Sequence, residues 1–332
     1  MNQPENCFAL AIDIGGSKLD IGLINTDGRL LESMEKFPVP FDQSGIADPY
    51  GLISLIAPYV EKSSGISGHF CGIGLSVCGN IDTATGEAVL VPNLHWRNMP
   101  FGRMVADHFD VRVVSATDVR MAALAEAVWG VAREVHNFAW ATVGTGYGGY
   151  LFLNGRLYGG SHGFAGNFGH FTLDEINGFL CGCGRKGCFE TFVAGPAIAR
   201  AGQNVLDQGG SQILCELAQG KPVTPRMVFQ AEDLGDQAAH DIIEQVIRLI
   251  SINLGGLVNI LDLDMIVLGG GVAHATQNFI TRVDRRIRDY METVEAIRDL
   301  RVVGETFSNS ALYGAAVDLF IREKILQIDP FD

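Results

Sequence analysis

The hydrophobic positions fall into two kinds of period along this chain. Short runs with strand character are Phe8 to Ile14, Leu19 to Ile24, Cys71 to Val77, Val111 to Ser115, Asn137 to Val143, Tyr150 to Leu153, Asp264 to Leu268 and Leu300 to Thr306. Segments with helical spacing are Asp48 to Lys62, Pro100 to Phe109, Val119 to Val131, a long one over Gln237 to Leu261, and Leu312 to Lys324. Asn25-Thr-Asp-Gly28 predicts a turn into a third strand, and Cys78-Gly79-Asn80 a turn opening a hairpin over Ile81 to Val91. Several further helices are expected between the Cys-rich loop and Gln237. The order β-β-β-α-β-α, partly echoed later, predicts two α/β domains of related topology with a cleft between them. The expected division is residues 1–117 plus about 310–332 for a small domain, and 118–309 for a large one. Two such domains imply closure on a substrate, which excludes water.

Glycine punctuates this pattern, with 41 residues clustered in short runs. The first run follows an apolar strand as Asp13-Ile-Gly15-Gly16-Ser17-Lys18. A hairpin turn of this composition lets backbone N–H groups approach phosphate oxygens, and its carboxylate can hold a hydrated Mg²⁺. The same residues also make an ordinary turn. A second strand–turn–strand unit carries Gly144-Thr145-Gly146-Tyr-Gly-Gly149. Two such hairpins can hold a phosphate chain between them. Gly269-Gly270-Gly271 follows a strand and is expected to lead into a helix, leaving a shelf for a flat ring or a plain tight turn. Asp118 lies at a strand-to-helix junction. It is either an N-cap or a carboxylate at the carboxyl end of a parallel strand, where open α/β sheets place ligands.

The most specific chemistry lies between His170 and Glu190. His170 is followed by Cys181, Cys183 and Cys188, four soft or borderline ligands within nineteen residues. The glycines inside the cysteine cluster let the backbone fold tightly round one ion. A Cys₃His set suits tetrahedral zinc, and four protein ligands leave no open position, so the ion is structural and a zinc hydrolase is disfavoured. The alternative is a disulfide or unrelated core cysteines, but Cys-x-Cys is a poor disulfide spacing. Cys7, Cys71, Cys78 and Cys215 are scattered singly, as buried thiols in a reducing compartment are.

Composition narrows the partners. The 332 residues suffice for two cores, with 47% hydrophobic and 19% charged residues as in ordinary globular proteins. The net charge of −14 argues against nucleic acid and anionic membrane surfaces. The N-terminus is polar and carries no signal-peptide pattern, and the apolar stretch Leu249 to Leu261 is too short to span a bilayer. A cytoplasmic protein is expected.

Taken together, these motifs resemble the ROK family of bacterial sugar kinases along nearly the whole chain. Asp13-Ile-Gly-Gly-Ser-Lys18 looks like its first phosphate motif and Gly144-Thr-Gly-Tyr-Gly-Gly149 like its second. Val267-Leu-Gly-Gly-Gly-Val272 looks like its adenosine motif. Gly166-Asn-Phe-Gly-His170 with Cys181 to Glu190 looks like its signature and structural zinc site. The resemblance implies an α/β protein of two ribonuclease H-like (actin/hexokinase-type) domains and an ATP-dependent kinase acting on a hexose or N-acetylhexosamine, at the 6-hydroxyl. It implies Asp118 as catalytic base. It places Gly79, Asn93, Thr117, Asn167, His170 and Glu190 against the sugar, with His170 also on zinc. It places Asp13 on Mg²⁺ and Gly15, Gly16, Ser17, Lys18, Gly144, Thr145 and Gly146 against the phosphates of ATP, with Gly269, Gly270 and Gly271 beside the adenosine. It also implies a homodimer.

Three positions depart from the family pattern. Thr117 stands where the family usually has Asn, and lacks an amide's separate donor and acceptor. Asn167 stands where the family usually has Glu, which removes one negative charge. These two positions are expected to bear on which sugar is accepted. Arg120 replaces a usual small polar residue and is expected to be solvated or salt-bridged. A sugar-sensing regulator is the competing class. Family repressors carry a helix-turn-helix ahead of the first phosphate motif, and about twelve residues before Asp13 are too few for one. A non-catalytic sugar-binding protein is the second alternative.

Overall fold

A computed structural model describes residues 6–276 and 278–326. The N-terminal residues read above for a signal peptide lie mostly outside the described residues, as does the stretch 327–332 of the expected small domain. Two compact units are present. One comprises 1–134, 155–165 and 306–332, the other 135–154 and 166–305.

The first unit is built on a five-stranded sheet. Its strands are β1 (Cys7–Ile14), β2 (Lys18–Asn25), β3 (Glu35–Pro38), β4 (His69–Val77) and, after a small antiparallel sheet of β5 (Asn80–Asp82), β6 (Glu87–Val91) and β7 (Trp96–Met99), β8 (Val113–Thr117). Their spatial order is β3-β2-β1-β4-β8, with β1 antiparallel to β2 and parallel to β4, and β4 parallel to β8. Helices α1 (Pro49–Ser63), α2 (Phe101–Phe109) and α3 (Asp118–Val128) alternate with these strands. Asp48 caps α1 by accepting the Tyr50 N–H, with Pro at the first helical position.

Both faces of this sheet are covered, and β1 divides its side chains with period two. Leu10, Ile12 and Ile14 pack with Ile53, Ile56, Trp96 and Phe101 on one face. Cys7, Ala9 and Ala11 pack on the other with Leu312, Ala315, Leu319 and Phe320. The small residues on the second face let the C-terminal helix, Ser310–Arg322, lie close. At Gly314 of that helix a Cβ would sit 1.7 Å from the Met121 carbonyl oxygen of α3, so only glycine fits. This packing carries α3 with the first unit, and the contact division falls at 134/135 where the sequence suggested 117/118.

The second unit carries β9 (Phe138–Val143), β10 (Tyr147–Leu153), β12 (Met265–Gly269) and β13 (Arg301–Gly304); the short β11 (Arg156–Tyr158) lies in the 155–165 segment of the first. β9 is antiparallel to β10 and parallel to β12, which is parallel to β13. Helices α4 (Glu190–Val193), α5 (Gly195–Asp207), α6 (Gln212–Ala218), α7 (Pro225–Asp233), α8 (Gln237–Leu261), α9 (Phe279–Ile287) and α10 (Val294–Asp299) surround it, and Ser310–Arg322 completes the series as α11. α8 buries Ile243, Ile247, Ile250, Leu254 and Val258, a stripe at three- and four-residue steps. α8 has the bounds its periodicity predicts, and the α/β class is the one expected.

Three local expectations are corrected. β10 begins at Tyr147, which pairs with Val143, so the glycine-rich turn is only residues 144–146. The triple glycine does not enter a helix directly, because α9 starts at Phe279. The third strand does not follow the Asn25 turn at once. Asn25 Oδ1 closes that turn by accepting the N–H groups of Asp27 and Arg29, and β3 starts at Glu35.

Candidate active site and metal centre

The parallel strands of the first unit end together. Ile14 of β1 is level with Val77 of β4, and Val77 with Thr117 of β8. Their carboxyl ends therefore bring Asp13 and the Gly15 turn, Gly79, and Thr117-Asp118 to one edge of the sheet, the edge where such sheets hold ligands. The turn is closed by the Gly15 N–H donating to the Lys18 carbonyl at 2.9 Å. A Cβ on Gly16 would lie 2.8 Å from the Asn93 Cβ, so Asn93 packs directly on the turn. Ser17 and Lys18 are exposed beside it.

Asp13 accepts the Ser76 hydroxyl at 2.6 Å on one oxygen and the Asn309 amide at 2.9 Å on the other. Burial pushes its carboxyl up to about 6, assisted by the charges of Asp118 and Asp20 and opposed by the Ser76 and Asn309 hydrogen bonds. Asp118 is the first residue of α3, whose N-cap is Thr117. Its Oδ1 accepts the Val119 N–H at 2.9 Å and the Thr117 hydroxyl at 3.1 Å. Burial raises its pKa above the ordinary carboxylate value, and those two donors hold it back. A carboxylate whose pKa is raised accepts a proton more readily than an ordinary one, which suits a group at the carboxyl edge to proton transfer. Each Asp13 oxygen keeps a lone pair beyond its one donor, an oxygen donor that suits a hydrated Mg²⁺.

Three residues of this cluster were not singled out from the sequence: Ser76, Asn309 and Asp20. Asp20 lies directly across from Asp13 on β2 and is buried. Its signal was present as a carboxylate inside the apolar run Lys18–Asn25. Arg120, by contrast, is not solvated but buried, and it pairs with the buried Asp318 at 2.9 Å. This is the salt-bridged alternative.

The second unit brings its two glycine segments together. The Gly144 N–H donates to the Gly146 carbonyl at 2.9 Å across the β9–β10 turn, and the Val272 N–H to the Val143 carbonyl at 2.8 Å. Gly270 has φ +92° and lies so close that a Cβ would meet Thr142 Oγ1 at 2.6 Å. Residues 269–271 thus sit against the 144–146 turn. Glu305 steadies them by accepting the Gly270 N–H at 3.2 Å, and His274 lies 3.3 Å from the same oxygen. Glu305 also was not read from the sequence.

The ligand atoms of His170, Cys181, Cys183 and Cys188 all lie within 4.8 Å of one another. His170 Nδ1 is 3.6 Å from Cys181 Sγ, and the Cys183 and Cys188 sulfurs are 3.6 Å apart. A tetrahedral ion with Zn–S near 2.3 Å requires edges of about 3.5–3.8 Å. The sulfurs are far too distant for a disulfide, and all seven cysteines are free thiols. The set therefore fits a tetrahedral metal, and it leaves the other His170 nitrogen, Nε2, turned elsewhere. A tight turn at Cys181–Arg185 closes the knuckle, and Arg185 donates to the His170 carbonyl at 2.8 Å.

The residues flanking the ligands are drawn together too. The His170 N–H donates to the Asn167 carbonyl, and the Glu190 N–H to the Gly169 carbonyl, which sets His170, Asn167 and Glu190 on one small loop. Asn167 is exposed there. The Glu190 carboxylate accepts the Tyr147 N–H at 2.9 Å and lies 3.3 Å from Cys181 Sγ. Glu190 thereby ties the metal loop to the start of β10 and the end of the 144–146 turn.

With this geometry in place, similarity to known proteins is informative. A glucokinase of Halalkalibacterium halodurans is 29% identical over 289 residues, 85% of each chain. A xylose repressor of Caldicellulosiruptor bescii is 25% identical over 95% of this chain and 78% of its own. Among solved structures, a ROK family glucokinase from Streptomyces griseus in complex with glucose and AMPPNP matches with a TM-score of 0.79 and 26% identity, over 93% of this chain and 98% of that one. The ROK family model matches residues 9–323, and the chain belongs to the ROK family.

Proposed function

We propose that this protein is an ATP-dependent sugar kinase, phosphorylating a hexose or N-acetylhexosamine at the 6-hydroxyl. The observation that carries the reading is the placement of Asp13 and Asp118 at one carboxyl edge, on strands whose ends are in register. Similarity to a glucokinase held with glucose and an ATP analogue supports it.

In this reading Asp118 receives the proton of the sugar hydroxyl. The freed oxygen bonds to the γ-phosphorus, the bond from that phosphorus to the bridging oxygen breaks, and ADP leaves with the electron pair. The Asp13 carboxylate would hold Mg²⁺, which would neutralise phosphate charge when bound. The turns at Gly15-Gly16-Ser17-Lys18 and Gly144-Thr145-Gly146 offer backbone N–H groups to the phosphates, and the 269–271 shelf receives the adenosine. His170 through Nε2, with Glu190, Asn167, Thr117, Asn93 and Gly79, contacts the sugar. The His170, Cys181, Cys183 and Cys188 cluster would hold a structural zinc, which would fix the loop bearing three of these residues.

A second reading, a sugar-binding protein without kinase chemistry, is favoured by the similarity to a repressor and by Thr117 and Asn167. One experiment separates them. ADP release is measured with ATP and Mg²⁺ across glucose, mannose, fructose, allose, N-acetylglucosamine and N-acetylmannosamine. The kinase reading predicts sugar-dependent release with at least one. Sugar binding by zinc-loaded protein with no release from any would favour the second reading.

A further inference from the structure

The side-chain amide of Asn309 has two duties. Its Oδ1 accepts the Leu312 N–H at 3.1 Å as the N-cap of α11. Its Nδ2 donates to Asp13 Oδ2 at 2.9 Å and to Asp20 Oδ2 at 2.8 Å. An amide nitrogen has two hydrogens, so both are directed at carboxylates. Asp13 and Asp20 face each other across antiparallel strands, where like charges repel. Lys36 approaches Asp20 at 3.5 Å from a mostly exposed position, where screening weakens the pair. Asp20 Oδ1 is buried with no hydrogen-bond partner among the described residues. Asn309 is thus the neutral bridge between the two carboxylates.

The bridge is itself held from behind. Glu126 is fully buried and accepts the Thr306 N–H and hydroxyl, the Ser310 hydroxyl and the Val131 N–H, all at 2.8–3.0 Å. Glu126 lies on α3, the helix that opens with Asp118. The start of α11 is therefore fixed relative to the proposed base, and Asn309 transmits that position to Asp13.

We propose that Asn309 is a positioning residue for the phosphate end of the site: by donating from one nitrogen to Asp13 and Asp20, it holds the Asp13 carboxylate in the orientation that receives the cation of a magnesium nucleotide. This role rests on the kinase reading and deepens it. Asn309→Ser and Asn309→Asp both retain a good N-cap, so α11 keeps its start. Serine does not span to both carboxylates, and aspartate supplies no donor and adds a third negative charge.

The test is calorimetric binding of Mg-ADP, joined to the Mg²⁺ dependence of ADP release, sugar affinity and thermal melting. Asn309→Ser should weaken Mg-ADP binding by about tenfold, the loss expected for a hydrogen bond to a charged group. Asn309→Asp should weaken it further, and both should raise the Mg²⁺ needed for half-maximal release while sugar affinity stays within about twofold. Wild-type Mg-ADP affinity and Mg²⁺ dependence in Asn309→Ser would overturn the role. So would equal losses of sugar and nucleotide affinity with early melting, which mark general unfolding. Wild-type protein that binds no Mg-ADP would sink the kinase reading, and this role with it.

Discussion

The metal loop of the second unit and the carboxylate cluster of the first are built by opposite means. The four candidate ligand atoms come from within nineteen consecutive residues, and local turns bring them within 4.8 Å of one another. The carboxylate cluster draws on Asp13, Asp20, Ser76, Asp118 and Asn309, which span nearly the whole chain. A local loop lacks a core of its own and needs an ion to hold it. A dispersed cluster is held by the sheet beneath it, and its cost lies in burying like charges together.

That contrast is broken most severely by Cys183→Ser. Structural zinc in small sites contributes on the order of 10 kcal/mol of apparent binding energy, so metal content and sugar affinity should be lost together. Metal analysis beside sugar calorimetry checks this. Retained sugar affinity in the metal-free variant would mean the ion does not organise the pocket.

Asp13→Asn should act in the other direction on stability. An Asp13 carboxyl raised from 3.8 to about 6 binds its proton more tightly in the folded protein. That contribution is present below about pH 4 and lost as pH rises through about 6, amounting to up to about 3 kcal/mol. The stability of Asp13→Asn relative to wild type, without nucleotide or added Mg²⁺, should therefore rise between pH 4 and pH 7. Denaturant titrations at both pH values measure it. A flat difference would mean that Asp13 is not strained by its surroundings. ADP release should be abolished in the same variant.

The smallest effect calibrates the others. Asp48→Ala removes the side-chain cap of α1, at a residue that belongs to neither cluster, and should cost about 1 kcal/mol of stability with ADP release unchanged. A comparable loss of release would show that the site responds to general softening of the unit.

The same contrast explains what could be read in the sequence. The ligand set His170, Cys181, Cys183 and Cys188 was legible because its residue types and spacing are themselves the constraint. The ends of β1 and α8 were legible because their hydrophobic periods are strong. Asn309 and Ser76 were not, because nothing local distinguishes a helix cap or a strand serine that happens to face Asp13. Asp20 broke an apolar run, but only the β1–β2 register turns that break into a partner for Asp13. The start of β10 was misplaced for a related reason. Glycines at 148 and 149 suggest a turn locally, yet pairing with β9 carries them into the strand.

The proposed role of Asp118 as the base of a sugar kinase is tested most directly by comparing wild type with Asp118→Asn on an accepted sugar. ADP turnover and equilibrium sugar affinity are measured side by side. The account predicts turnover lowered by at least about a hundredfold, the lower end for losing a general base, with sugar affinity changed much less. Unchanged turnover, or a loss confined to sugar binding, would contradict it.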